Sequence, residues 1–183
     1  MRGYAWTVAL AAAVLVVTVA LTARIITIDQ PAMGSTQAAP RPSAPAAGDA
    51  PSPCPVDEAR KRVLVSVSRQ HLWLCDDGRS VATSPVTTGR SATGHGTPLG
   101  SWRIVSHETA RYLEGPGYRI HVHFWLPFFG DIGFHDSPWQ RFPYGDLQQY
   151  KTEGSQGCIH VPGPMMAELY RWTRVGTAVT IAA

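Results

Sequence analysis

"RVLVSVSRQHLWLCDDGRSVATSPVTTG", Arg62 to Gly89, decides how this chain folds. Val63, Val65 and Val67 alternate with Leu64, Ser66 and Ser68, the period of two that belongs to a strand. Leu72 and Leu74 resume the alternation after a break at Arg69 and Gln70. Asp76-Asp77-Gly78 is a turn signal, and Val81 to Thr88 is the next strand. Further on, "SWRIVSHE" (101–108) and "YRIHVHFWL" (118–126) also read as strands, separated from the first group by the glycine-rich loop "GRSATGHGTPLGSW" (89–102). "PGPMMAELYRWTRVG" (162–176) is the one clear helix. Pro164 suits its first turn, Met165, Met166, Leu169 and Trp172 recur at helical spacing, and Gly176 ends it. "TAVTIA" (177–182) closes the chain as a last strand. Many short strands with one main C-terminal helix predict a mostly β domain over residues 60–183, without internal repeats.

The residues before it have a different texture. Tyr4 to Ala23 is an apolar run of about twenty residues, close to what a helix needs to cross a bilayer. Arg2 and Arg24 flank it. A cleaved signal peptide usually has a shorter apolar core and a small residue three before its exit, and here Leu21 holds that place. Residues 1–29 are therefore read as a retained single-pass signal anchor, with cleavage and secretion as the alternative. Either way the remainder lies outside the cytoplasm. Residues 30–59 are rich in Pro and Ala and form a semi-rigid linker. The net charge of +3 comes without a dense basic block, so nucleic acid is not an expected partner.

Three cysteines, Cys54, Cys75 and Cys158, sit in a compartment that permits disulfides. If 61–68 and 71–75 form an antiparallel hairpin, Cys75 comes near Cys54, and a Cys54–Cys75 bridge would close a loop of about twenty residues. Cys158 would then be the free thiol. The pairings that join Cys158 to a distant element stay open on spacing alone.

"GSQGCIH" (154–160) raises the question of what that thiol does. A cysteine nucleophile needs a base and donors for an oxyanion. The amides around Gly157 and Cys158 could supply the donors. The base must be a histidine. His135, at a strand end in "GDIGFHDSPW" and followed by Asp136, is suited to hold a fixed tautomer, and it ranks ahead of His160.

"SQGCIH" preceded by "HDSPW" resembles the L,D-transpeptidase catalytic domain family (YkuD-type), which carries a His, a gap, and then Ser/Thr-His-Gly-Cys-hydrophobic-Asn/Arg. "VLVSVSRQHLWLCDDGRSVATSPVTTGR" is similar to the opening hairpins of that family, "GTPLGSWRI" to its Thr-Pro-Thr-Gly segment, and "HDSPW" to a form seen in actinobacterial members. The resemblance covers roughly Lys61 to Ile181. It implies a β-sandwich catalytic domain that forms a thioester with a peptidoglycan stem tetrapeptide, releases the terminal D-amino acid and passes the acyl group to an amine, without metal or organic cofactor. It also implies roles. Cys158 would be the nucleophile and His135 the base. Asp136 would orient His135 through its backbone carbonyl, Gly157 would give an oxyanion amide, and Tyr118 would lie over the acyl site. Ser155, Gln156 and His160 would line the substrate pocket.

Three features depart from the family pattern. Gln156 replaces a histidine, His160 replaces Asn or Arg, and the gap between His135 and Ser155 is longer. The first two alter the substrate pocket, and His160 grips a substrate carboxylate only if protonated. Water as acceptor would make the protein an L,D-carboxypeptidase, and a wall-binding module without turnover is the alternative of a different class. His121, His123 and His135 could also be read as a zinc triad. Trp73, Trp102, Trp125, Trp139 and Trp172 are read as core or cleft packing.

Overall fold

A computed structural model of the chain describes residues 53–57 and 59–183. The apolar run assigned to a membrane anchor, and most of the linker, lie outside the described residues. Among the described residues no helix is long and apolar enough to cross a membrane.

Among the described residues nine strands form two sheets. They are β1 (Lys61–Ser66), β2 (His71–Asp76), β3 (Arg79–Pro85), β4 (Gly100–Arg103), β5 (Glu108–Gly115), β6 (Tyr118–Phe129), β7 (Ile132–Asp136), β8 (Ile159–Val161) and β9 (Ala178–Ala182). The first sheet runs β3-β2-β1-β9-β4 and the second β5-β6-β7-β8. The helices are α1 (Tyr150–Glu153) and α2 (Gly163–Trp172). The alternation in the opening stretch does what a period of two requires. Val63 and Val65 of β1 and Leu72 and Leu74 of β2 are fully buried, and of their strand neighbours only the disulfide-bonded Cys75 is buried as well. They meet Leu126, Phe134, Ile159 and Val161 from the second sheet and Met166 and Leu169 from α2 in one core. β9 joins β1 in parallel, Val63 beside Val179, so the chain end closes the sheet that its beginning opened.

Cys54 and Cys75, at a sequence separation of 21, are joined by a disulfide with Cα atoms 5.5 Å apart. On loop-closure entropy it contributes ~3 kcal/mol. Cys158 is free.

Three expectations need correction. "SWRIVSHE" is not one strand. Arg103 ends β4, the Ile104 amide bonds Thr177, and the Val105 amide bonds Pro127 of β6. The segment is thus a corner where the chain crosses between sheets, with Ile104 buried in the core. The strand expected to reach Thr88 stops at Pro85, because proline has no N–H to continue a ladder. The chain then changes sheets, and Thr87 bridges His160 while Gly89 bridges Ser155. Buried Gln70 holds this crossing: its amide donates to Thr88 Oγ1 at 2.7 Å and accepts from the Thr88 N–H at 2.9 Å. The third correction is β5. "ETARYLEG" was not read as a strand, yet it pairs with β6 along its length, turning at Pro116-Gly117. The one-turn α1 was likewise not anticipated.

Candidate active site

The site is assembled by β6, β7 and β8. β7 and β8 are parallel, with His135 beside His160 and Phe134 beside Ile159. Neighbours in a ladder share a face, and Cys158, two residues before His160, shares it too. Trp125 of β6 lies beside His135. One face therefore presents Trp125, His135, His160 and Cys158 together. A pocket of about 440 Å³ opens over it, lined among others by Cys158, His135, His160, Tyr118, Ser155 and Gln156. All the residues assigned to chemistry or substrate from the sequence line this pocket except Asp136 and Gly157, which stand directly behind it in sequence.

His135 is buried, and its Nδ1 lies 2.9 Å from the Asp136 backbone carbonyl. A carbonyl only accepts, so Nδ1 carries the hydrogen and Nε2 keeps its lone pair. Burial lowers the His135 pKa, opposed by that hydrogen bond and by the Asp136 charge. The imidazole is thus a neutral base. The Asp136 side chain adds a second role to that of its backbone carbonyl. Its carboxylate accepts from the backbone amides of His123 at 2.8 Å and Phe124 at 3.1 Å, and contacts His123 Nδ1 at 2.7 Å. Burial works against its charge, but these bonds outweigh burial and hold the carboxyl below its usual range. The peptide that fixes the His135 tautomer is therefore pinned to β6.

Cys158 is half-buried, and its thiol points to the Asp131 carbonyl at 3.6 Å. Burial pushes the thiol up to about 11, with the Gly133 N–H favouring the thiolate and Asp131 opposing it. No hydrogen bond joins the thiol to His135 in this state. Gly157 turns the chain at φ +120°, where a side chain would also meet Ile132, conditions that require glycine. Its amide is already engaged, donating to Ser155 Oγ at 3.0 Å, while that hydroxyl donates to the Cys158 carbonyl. Ser155 thus occupies the donor that was assigned to an oxyanion.

His160 resolves the question of a missing cation. Its Nδ1 is 3.0 Å from Gln140 Oε1. Gln140 Nε2 donates to Thr87 Oγ1 at 2.9 Å and to the Phe142 carbonyl at 3.1 Å, which fixes the amide orientation. Burial and then the neighbouring His135, with ring centroids 4.9 Å apart, hold the His160 pKa well below its ordinary value. His160 is a neutral side chain and grips no carboxylate by charge. The cations facing the pocket are Arg111, which is paired with Glu108, and Arg90, which has no acidic partner among the described residues. Trp139, the last residue of "HDSPW", lies against His135, and Gln140 next to it places its amide behind His160.

The β5–β6 hairpin forms the outer wall. Gly115 leaves room for the Tyr118 ring, which a Cβ there would meet at 2.4 Å. Burial raises the Tyr118 pKa, and Cys158 and Asp131 add to that. His121, His123 and His135 do not converge as a metal triad. His121 is four strand residues, ~13 Å, from the Trp125 position beside His135, and His123 is committed to Asp136. Sequence reasoning named His123 only as a possible metal ligand, and it assigned no role to Gln140, Asp131 or Arg90.

Residues 60–181 match the model of the YkuD L,D-transpeptidase catalytic domain. An Enterococcus faecium L,D-transpeptidase mutant is 31% identical, with a TM-score of 0.61, over 67% of this chain and 49% of that one. The ertapenem-acylated catalytic domain from E. faecium is 30% identical, with a TM-score of 0.59, over 68% of this chain and 98% of that one. An L,D-transpeptidase from Stackebrandtia nassauensis shares the fold at 23% identity and a TM-score of 0.59, over 74% of this chain and 62% of that one. The chain spans about half the length of the longer E. faecium structure. No curated protein sequence matches it at a significant level. By its strand order, its site and the domain model that matches two thirds of its length, the chain belongs to the L,D-transpeptidase (YkuD) catalytic domain family.

Proposed function

We propose that the domain is a cysteine acyltransferase acting on peptidoglycan stem tetrapeptides. The observation that carries this is a free thiol, Cys158, sharing one open pocket and one sheet face with a buried imidazole whose Nε2 is left unprotonated. His135 takes the thiol proton as sulfur bonds to the carbonyl carbon of the third stem residue. The bond to the terminal D-amino acid then breaks, and His135 returns the proton to the leaving amine. An amine on a second stem attacks the thioester, giving a link between third residues and restoring the thiol. The Cys158 and Gly157 amides receive the oxyanion once Ser155 Oγ gives up its bond to Gly157.

With the thiol near 11 and His135 below its ordinary value, a resting ion pair is unfavourable. Proton transfer therefore accompanies attack. Ertapenem, which acylates the E. faecium catalytic domain, tests the reading. Intact-mass measurement is expected to show one adduct on the folded protein and none on Cys158→Ala. An unmodified wild-type protein would favour a wall-binding module.

Arg90 supplies the cation that His160 does not, and it would hold the stem carboxylate. Arg90→Ala is expected to raise KM for a tetrapeptide donor about tenfold, the value of one charge-assisted hydrogen bond, with kcat nearly unchanged. An unaltered KM would remove that role.

The apolar run Tyr4–Ala23 would tether the domain on the outer side of a membrane. Full-length protein made in a bacterium is expected in the membrane fraction, and deletion of residues 1–29 is expected to free it. Full-length protein in the soluble fraction would contradict retention of the anchor.

A further inference from the structure

A second cleft, of about 940 Å³, shares no lining residue with the active-site pocket. It is formed where β1 and β9 begin, β4 ends and α2 runs out. Arg60, Lys61, Arg62, Arg103 and Arg174 line it, with Asp57 as the one acidic side chain among the described residues. The whole chain has 16 basic and 13 acidic residues, so this cleft concentrates positive charge that the composition as a whole lacks. Neutralisation within the fold is incomplete. Arg62 reaches Asp57 at 2.6 Å, but its Nε has no acceptor among the described residues. Arg103 donates to the Gly176 carbonyl, and Arg60 meets only Asp77, at 4.0 Å with both side chains mostly exposed. Lys61 lies over the Trp172 ring at 4.8 Å, and Arg174 is exposed without an acidic partner among the described residues.

We infer that this cleft is a docking site for a linear polyanion, a polymer carrying closely spaced phosphate or carboxylate groups. A single exposed ion pair contributes less than about 1 kcal/mol in water, so one small anion would not stay in a solvent-open cleft. A polymer that meets several guanidinium groups at once adds these contributions and releases its condensed counterions. Four of the five cations are arginine, whose planar fork pairs with phosphate or carboxylate through two bonds. The charges line a concavity, which a chain can enter and a flat bilayer surface cannot. Docking there would hold the domain against an anionic matrix while leaving the catalytic pocket open.

The test uses the full chain in detergent, with fluorescently labelled long-chain polyphosphate and, in parallel, labelled polyglutamate. Saturable binding of either probe near 0.1 M salt, weakening steeply as salt rises, is expected. The double variant Lys61→Glu/Arg174→Glu should weaken it at least tenfold. Arg69→Glu/Arg79→Glu, with the same charge change at exposed positions outside both clefts, should weaken it less than threefold. The preferred probe tells phosphate from carboxylate. Equal losses in the two variants would reduce the effect to net charge and overturn the site. Absence of saturable binding, or binding only to vesicles containing phosphatidylglycerol, would overturn it as well. Ertapenem acylation of the Lys61/Arg174 variant at the wild-type rate shows that its fold and active site are intact, so loss of docking is read separately from loss of chemistry.

Discussion

Replacing His135 with glutamine is expected to slow acylation of Cys158 by a factor of 10² to 10⁴ near neutral pH, the usual worth of a positioned general base. The reason lies in the two perturbed groups. A thiol near 11 is ionised to only about one part in ten thousand at pH 7, so the wild-type protein depends on His135 to remove the proton during attack. The pH profile separates this role from mere packing. In the wild type, the rate falls on the acid side as His135 protonates, and that limb sits below 6.5 because burial lowers the His135 pKa. Above it the rate is flat. In His135→Gln only the spontaneously formed thiolate reacts. Its rate should climb about tenfold per pH unit toward the thiol pKa near 11. A variant that retains the wild-type rate and its flat profile would remove His135 from the chemistry.

The second large effect is expected far from the sulfur in sequence, at Gly89. A Cβ built there would lie 2.0 Å from the His95 carbonyl oxygen and 2.9 Å from both Gly157 Cα and Thr97 N. All three are backbone atoms, so no side chain can rotate to make room. Gly89 also donates to Thr97 Oγ1 at 2.9 Å, and Thr97 Oγ1 donates to the Gly157 carbonyl at 2.8 Å. Three loops thus meet at one point with the nucleophile turn among them. Gly89→Ala must push the Gly157 turn away or break these bonds. A loss of about 3 kcal/mol is expected, the upper end for overpacking a tight site, together with much slower ertapenem acylation. Thermal unfolding and acylation kinetics measured together check this. Wild-type values for both would mean that the Gly89 contact does not hold the nucleophile turn.

What could be read from the sequence was local. The hairpin of β1 and β2 shows itself because alternate residues enter the core. α2 shows itself by its buried Met165, Met166 and Leu169. Cys158 and His135 stand in short motifs whose neighbours define them. What could not be read depends on where the chain crosses itself. β5 stands away from the core and most of its residues are exposed, so it has no apolar alternation. Only the Gly-Pro-Gly turn before Tyr118 marks it. The corner at Ile104 looks like strand because its residues are apolar, yet its bonds go to two different sheets. The Asp136 carboxylate acquires its role from amides on β6 that are twelve and thirteen residues distant. The orientation of His160 depends on Gln140, twenty residues earlier, and its neutrality on burial beside His135. The basic cleft joins the short run Arg60-Lys61-Arg62 to Arg103 and Arg174, which are distant in sequence and come near it only in the fold.

These placements also sharpen the meaning of the departures from the family pattern. His160 fills a buried, hydrogen-bonded place and carries no charge, so in the proposed reading a substrate carboxylate would be held by Arg90 instead. Gln156 is exposed on the pocket wall, where it can touch substrate without being needed for the fold.

The most direct measurement is intact-mass spectrometry of the purified domain with a stem tetrapeptide, with and without an amine acceptor. The expected result is an adduct confined to Cys158, equal to the donor less its terminal D-amino acid. Added acceptor should discharge it to a cross-linked peptide faster than water does. Discharge by water alone would make the protein a carboxypeptidase. No adduct on folded wild-type protein, or turnover that persists in Cys158→Ala, would contradict the assignment of Cys158 as the nucleophile.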